Sequence, residues 1–282
     1  MLYLIITTII WSFSFSLIGY YLSPEINSWT LAFLRSLVAF IFFLPWLRIN
    51  TTYSYIVRMS SIGALQLGLM YIFYLSAYNY TTVQRILLFT ITTPFYVVLI
   101  SNILDRKFKL PIIALSLLSV FGAGLLRSTY FNQNDLIGFL LIQLANLCFA
   151  YGQIIYRRIK IANPNQQNIR NDFAYFFLGA LIASSIGLII SPHNFTAPAT
   201  SMHWILIIWL GIAASGLGYC FWNHGSTLVN SGTLAVMNNL VIPLGLFVEI
   251  IFFSKNMNME SFVIGAIIII TSIIASIKYR SD

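Results

Sequence analysis

The 282-residue sequence predicts an all-α integral membrane protein of ten transmembrane helices, arranged as two inverted five-helix repeats. Three observations carry this expectation. The chain is 59% hydrophobic and 8% charged, with a mean hydropathy of +0.86. Apolar runs of membrane-spanning length recur along it, and a pattern in the third run returns in the eighth. A soluble domain carries about 25% charged residues, so this chain lacks the means to make a water-facing surface. In lipid, roughly 20 apolar residues cross the hydrocarbon core, because each advances a helix by about 1.5 Å.

Runs bounded by polar or charged clusters place the helices in order at Leu2 to Tyr20, Trp29 to Leu47, Met59 to Tyr78, Val83 to Leu104 and Pro111 to Arg127, then at Leu136 to Tyr156, Phe173 to Ser191, Trp204 to Asn223, Thr233 to Phe253 and Ser261 to Ile277. The first run has no basic flank and no convincing cleavage signal, so it reads as a retained helix. The longest polar connection, Arg157 to Asp172, contains Asn163-Pro164-Asn165 and reads as a loop.

Cations near helix ends are enriched on the cytoplasmic side. With ten spans, the side holding both termini collects Arg48, Arg58, Arg106, Lys107, Lys109, Arg157, Arg158, Lys160, Arg170, Lys278 and Arg280. The other side has Lys255, with Arg85 and Arg127 at helix ends. Both termini are therefore expected in the cytoplasm.

Gly68-Leu69-Met70-Tyr71-Ile72-Phe73-Tyr74 echoes Gly216-Leu217-Gly218-Tyr219-Cys220-Phe221-Trp222, and each is followed by a lone mid-helix proline, Pro94 or Pro243. The unit is about five helices, dividing the chain into 1–135 and 136–282. Five is odd, so the second copy enters the membrane from the opposite face, as in many secondary transporters.

Other classes are disfavoured. The net charge of +8 is spread thinly and forms no basic run of the kind nucleic acid attracts. Cys148 and Cys220 fall inside apolar runs and read as small core residues, leaving no cofactor or metal site in view. His193, His203 and His224 are scattered, and no phosphate-binding loop is present, which argues against a membrane-embedded enzyme. Short loops disfavour a receptor or scaffold.

Several stretches carry a family likeness: Ile5 to Ser16, Leu65 to Tyr71, Leu87 to Pro94, Gln143 to Ala150, and Trp209 to Pro243 with its Trp222-Asn223 and Asn238-Asn239 pairs. In these the chain resembles the drug/metabolite transporter superfamily, in its EamA-type carboxylate/amino acid/amine branch. The resemblance covers nearly the whole chain. It implies a secondary transporter of the bacterial inner membrane carrying a small carboxylate, with biotin uptake the best match and export of amino acids or related metabolites the alternative. At two positions the chain departs from the pattern: Arg85 stands where similar proteins carry an acid early in the fourth helix, and Glu249 where they carry a neutral amide in the ninth.

Charges inside the hydrocarbon cost about 2.5 to 3.5 kcal/mol on insertion scales and so mark function or pairing. Here they are Arg35, Arg85 and Glu249, with His224 near a helix end. Arg35 and Arg85 lie within two turns of helix starts, so snorkelling to the interface is the competing reading. Arg85 and Glu249 fall at similar heights beyond Pro94 and Pro243, which predicts an ion pair between them and leaves Arg35 or His224 to anchor a carboxylate. Biotin would also need amide or hydroxyl partners and apolar walls. Trp11, Gln66, Tyr71, Asn146, Tyr151, Tyr219, Trp222, Asn223, Asn238 and Asn239 offer these groups, although amides also join membrane helices and tryptophans also simply pack. Pro94 and Pro243 suit bending or gating, or a purely structural kink.

Overall fold

The computed structural model describes residues 1–106, 110–124, 133–163, 168–192, 194–255 and 258–278. Lys107, Lys109, Arg127, Pro164, Asn165, His193 and Arg280 lie outside the described residues. Ten helices follow in order: α1 (Leu2–Leu22), α2 (Ser28–Trp46), α3 (Tyr53–Ala77), α4 (Val83–Asp105), α5 (Leu110–Gly124), α6 (Gln133–Ala162), α7 (Ile169–Ile190), α8 (Ser201–Thr227), α9 (Ser231–Phe253) and α10 (Met259–Lys278). All but α5 are long and apolar enough to cross a membrane, and α5 is a shorter apolar helix.

The helix starts follow capping chemistry. Asn27, Thr82, Asn168, Thr200 and Asn230 each accept a hydrogen bond from the backbone N–H three residues on, supplying a partner the first turn lacks. Helix ends shift by up to several residues from the sequence expectation, and at α6 the shift matters. Helix α6 begins at Gln133, so the division between 135 and 136 falls in its first turn, where a buried acid, Asp135, is favoured by the helix dipole. It also runs to Ala162, making Arg157, Arg158 and Lys160 helical where a loop was expected.

Irregularities of the backbone recur at an interval of about 148 residues. Helices α3 and α8 start at Tyr53 and Ser201, and each widens into a π segment, at Ala64–Leu69 and Leu210–Leu217. Helices α4 and α9 start at Val83 and Ser231 and tighten into 3-10 turns at Thr90–Thr92 and Asn238–Leu240. Both end on a left-handed residue, Arg106 with φ of 51° and Ser254 with φ of 50°.

Packing obeys the same relation. Helix α2 packs on α7, α4 on α9 and α5 on α10, while α1 contacts α8 and α9 as α6 contacts α3 and α4. Exchanging each helix for the one five later maps these contacts onto themselves. In lipid there is no hydrophobic gain from joining helices, so close approach and polar contacts must hold them. At the α3–α7 crossing, a Cβ on Gly179 would sit 1.8 Å from the Ser60 carbonyl oxygen, and one on Gly63 would sit 2.0 Å from that of Phe176. Only glycine permits that crossing.

Candidate substrate-binding cavity

A cavity of about 90 Å³ lies among α1, α2, α3, α4, α6, α8 and α9. Its aromatic wall centres on Trp11, whose ring lies 4.7 Å from Tyr219, 5.1 Å from Trp222 and 5.7 Å from Phe149. The Trp11 indole donates to the Ala214 carbonyl at 2.8 Å, and the Trp222 indole to Gln153 Oε1 at 2.8 Å. Each tryptophan is thereby fixed by its polar edge while its face borders the cavity.

Arg35 supplies the cavity's cation. It is 3% exposed, with its guanidinium 4.4 Å from the centre of the Tyr71 ring and Nη2 donating to Ser215 Oγ at 3.1 Å. Tyr71 OH donates to the same Ser215 Oγ at 2.7 Å. Arg35 has no acidic partner within ion-pair distance among the described residues, and its Nε and Nη1 have no hydrogen-bond partner. The snorkelling alternative therefore fails for Arg35, which points into the bundle.

The amides occupy another wall. Asn146 Nδ2 donates to the Phe89 carbonyl at 3.0 Å, where Gln143 also donates at 3.0 Å. Thr93 Oγ1 takes the Thr90 carbonyl at 2.7 Å, and Asn239 Nδ2 reaches the Ile91 carbonyl at 3.3 Å. Three consecutive carbonyls at the α4 break ahead of Pro94 are thus held by side chains, which answers the demand that buried backbone groups find partners. Asn238 Nδ2 back-bonds to the Leu234 carbonyl at 2.7 Å. Asn146 and Asn238 line the cavity, and their side-chain carbonyls receive no donor from the described residues.

Of the residues expected from sequence, Trp11, Arg35, Tyr71, Asn146, Tyr219, Trp222 and Asn238 converge on this cavity. Gln66 and Asn223, both fully buried, instead bond each other at 3.3 Å between α3 and α8. Asn239 joins α9 to α4 and, through Ser119 at 2.9 Å, to α5. Tyr151 stands apart, 43% exposed on the outer face of α6. Pro94 and Pro243 follow the two 3-10 turns and begin the second halves of α4 and α9. His224 lies at the end of α8, against Tyr3 and beside a second cavity lined by Lys160 and Asp172.

The expected Arg85–Glu249 ion pair does not form. Arg85 Nη1 meets Asp135 Oδ2 at 2.6 Å, and Thr81 Oγ1 donates to Asp135 Oδ1 at 2.6 Å. Glu249 accepts from Ser16 Oγ and from Tyr20 OH, the latter at 2.7 Å. Height along two oppositely directed helices placed the charges level, but neighbours in the bundle decide pairing, and α6 presents Asp135 directly to the start of α4. Sequence reading also missed Ser215, Thr90, Thr93 and Phe149. Ser215 carried one usable signal, its place in the small-residue run Gly211 to Gly216 that forms the π segment; such wide turns frequently occur at functional sites. Among the described residues no cluster of His, Cys, Asp or Glu is suited to a metal ion.

A bundle of membrane-crossing helices around a mainly aromatic cavity that holds a buried cation is the architecture of a multi-pass membrane transporter. The chain belongs to the EamA-like transporter family, whose description matches residues 1–128. It is 38% identical over 276 residues to the biotin transporters of Escherichia coli (strain K12) and Salmonella typhimurium (strain LT2), covering 96% of this chain and 90% of each relative. To the probable biotin transporter of Pseudomonas aeruginosa it is 36% identical, covering 97% of this chain and 96% of that one. A solved crystal structure with 16% identity shares the fold with a TM-score of 0.75 over 99% of both chains.

Proposed function

We propose that this chain takes up biotin, or a carboxylate closely like it, across the bacterial inner membrane. The observation that carries this reading is Arg35, a buried cation in a membrane cavity, without a counter-ion among the described residues and with two nitrogens, Nε and Nη1, unused. A guanidinium left so is poised for a carboxylate, which it can bind through parallel charge-assisted hydrogen bonds. The free carbonyls of Asn146 and Asn238 suit the two N–H donors of a ureido ring, and Trp11, Phe149, Tyr219 and Trp222 suit the apolar arm between. The names borne by its relatives point the same way.

In this reading residues 1–135 and 136–282 are the two inverted halves, and the breaks before Pro94 and Pro243 are matched hinges between inward-open and outward-open states. Both termini lie in the cytoplasm, as the cation asymmetry supports. The deciding experiment is uptake of labelled biotin in a host unable to make or import it. Expression of the chain restores uptake, and unrestored growth on external biotin, with the protein present in the membrane, rejects the substrate.

A further inference from the structure

Five Arg, Lys, Asp and Glu side chains are buried among the described residues: Arg35, Asp135, Lys160, Asp172 and Glu249. Asp135 pairs with Arg85, and Lys160 pairs with Asp172. Arg35 and Glu249 remain, opposite in sign and without an ion-pair partner among the described residues. Glu249 is fully buried, and among the described residues its carboxyl group meets the hydroxyls of Ser16 and Tyr20. The other titratable or charged groups facing it are Tyr78 of α3 and Lys255, whose ammonium sits 5.1 Å from the centre of the Tyr20 ring. Arg85, on the neighbouring start of α4, is held by Asp135.

Glu249 is eleven residues beyond cavity-lining Asn238, roughly 16 Å along α9. Between it and the cavity stands Tyr78, whose hydroxyl lies 2.7 Å from that of the lining residue Tyr74. The exposed Lys255 beside Tyr20 marks how near this acid lies to the end of the bundle.

We propose that Glu249 binds the proton that accompanies an anionic substrate through the membrane. The inference rests on Arg35 as the carboxylate anchor and follows from charge balance. Moving a net charge through hydrocarbon is costly, so a carrier favours states in which buried charges cancel. In the empty carrier the Arg35 cation balances the Glu249 carboxylate. When a substrate carboxylate occupies Arg35, the Glu249 charge becomes surplus, and taking up one proton removes it: COO⁻ and H⁺ form COOH, with no electron transferred. The proton enters from the aqueous side that supplies the substrate and leaves on the other side. Substrate and proton therefore cross together.

The test counts protons. Full-length protein in lipid nanodiscs is titrated with biotin by calorimetry in buffers of differing ionisation enthalpy. Linkage predicts uptake of about one proton per biotin bound in the wild type and none with Glu249→Gln, with Glu249→Asp restoring it. In proteoliposomes, a gradient of about one pH unit, acid outside, yields about tenfold accumulation of biotin in the wild type and none with Glu249→Gln. Binding without proton uptake, or accumulation driven by sodium and not by pH, overturns the proposal. Absence of any biotin binding overturns the substrate reading instead. The proton site is then tested on ligand-free protein, where acidification produces a carboxyl C=O infrared band that Glu249→Gln abolishes. A spectrum unchanged by that substitution overturns it.

Discussion

The guanidinium of Arg35 lies 4.4 Å over the ring of Tyr71, and both side chains converge on Ser215 Oγ. The contact aims a cation from α2 into the cavity and ties it to the π segment of α8. Hydrogen bonds to charged groups contribute about 1.5 to 3 kcal/mol. Arg35→Ala therefore weakens biotin binding about 10- to 150-fold. Arg35→Lys recovers part of the loss, because it keeps the charge but not the planar fork. Calorimetric Kd values for the two variants check this, and equal affinities for Arg35→Ala and wild type would remove Arg35 from the site.

The Arg85–Asp135 pair predicts a different pattern. Arg85→Ala removes the cation from a buried carboxylate that keeps its hydrogen bond from Thr81, at a cost of about 3 kcal/mol, the low end for a broken buried pair because Arg85 is 19% exposed. Arg85→Leu with Asp135→Leu recovers most of that stability. Exchanging the charges of Arg85 and Glu249 recovers none. Unfolding midpoints in detergent distinguish the three variants.

The α3–α7 crossing tolerates no added carbon. Gly179→Ala places a methyl 1.8 Å from the Ser60 carbonyl oxygen, which is backbone and cannot rotate away. Overpacking of this kind costs at least about 1 to 3 kcal/mol, and the folded yield on size exclusion drops. Gly232→Ala, where the nearest atom is 3.2 Å away on a side chain, leaves the yield near that of the wild type.

The break in α4 is held by side chains as well as by proline. Pro94→Ala restores one N–H, but the Phe89, Thr90 and Ile91 carbonyls stay engaged by Asn146 and Gln143, Thr93, and Asn239. Initial uptake rates therefore change little with Pro94→Ala and fall clearly with Asn146→Ala, which also strips a polar group from the cavity. The reverse order would assign the bend to proline alone.

Much of the site was legible because lipid makes polar residues conspicuous. Trp11, Arg35, Asn146, Trp222 and Asn238 stand out of apolar runs, and the bundle gathers them around one cavity. Gln66 and Asn223 stood out equally but bond each other across the α3–α8 contact, which no spacing rule separates from substrate contact. Ser215 and Thr90 were missed because a hydroxyl that can bond its own helix does not stand out in a sequence.

Hydropathy by itself determined the solvent and the succession of apolar helices, because the cost of placing a segment in lipid is summed residue by residue along the chain. The tertiary structure decided which charges meet. Asp135 pairs with Arg85, while Glu249 meets two hydroxyls and Arg35 faces the cavity. Electrostatic and hydrogen-bonded contacts act over a few ångströms between helices far apart in sequence, so they are fixed by which faces pack together.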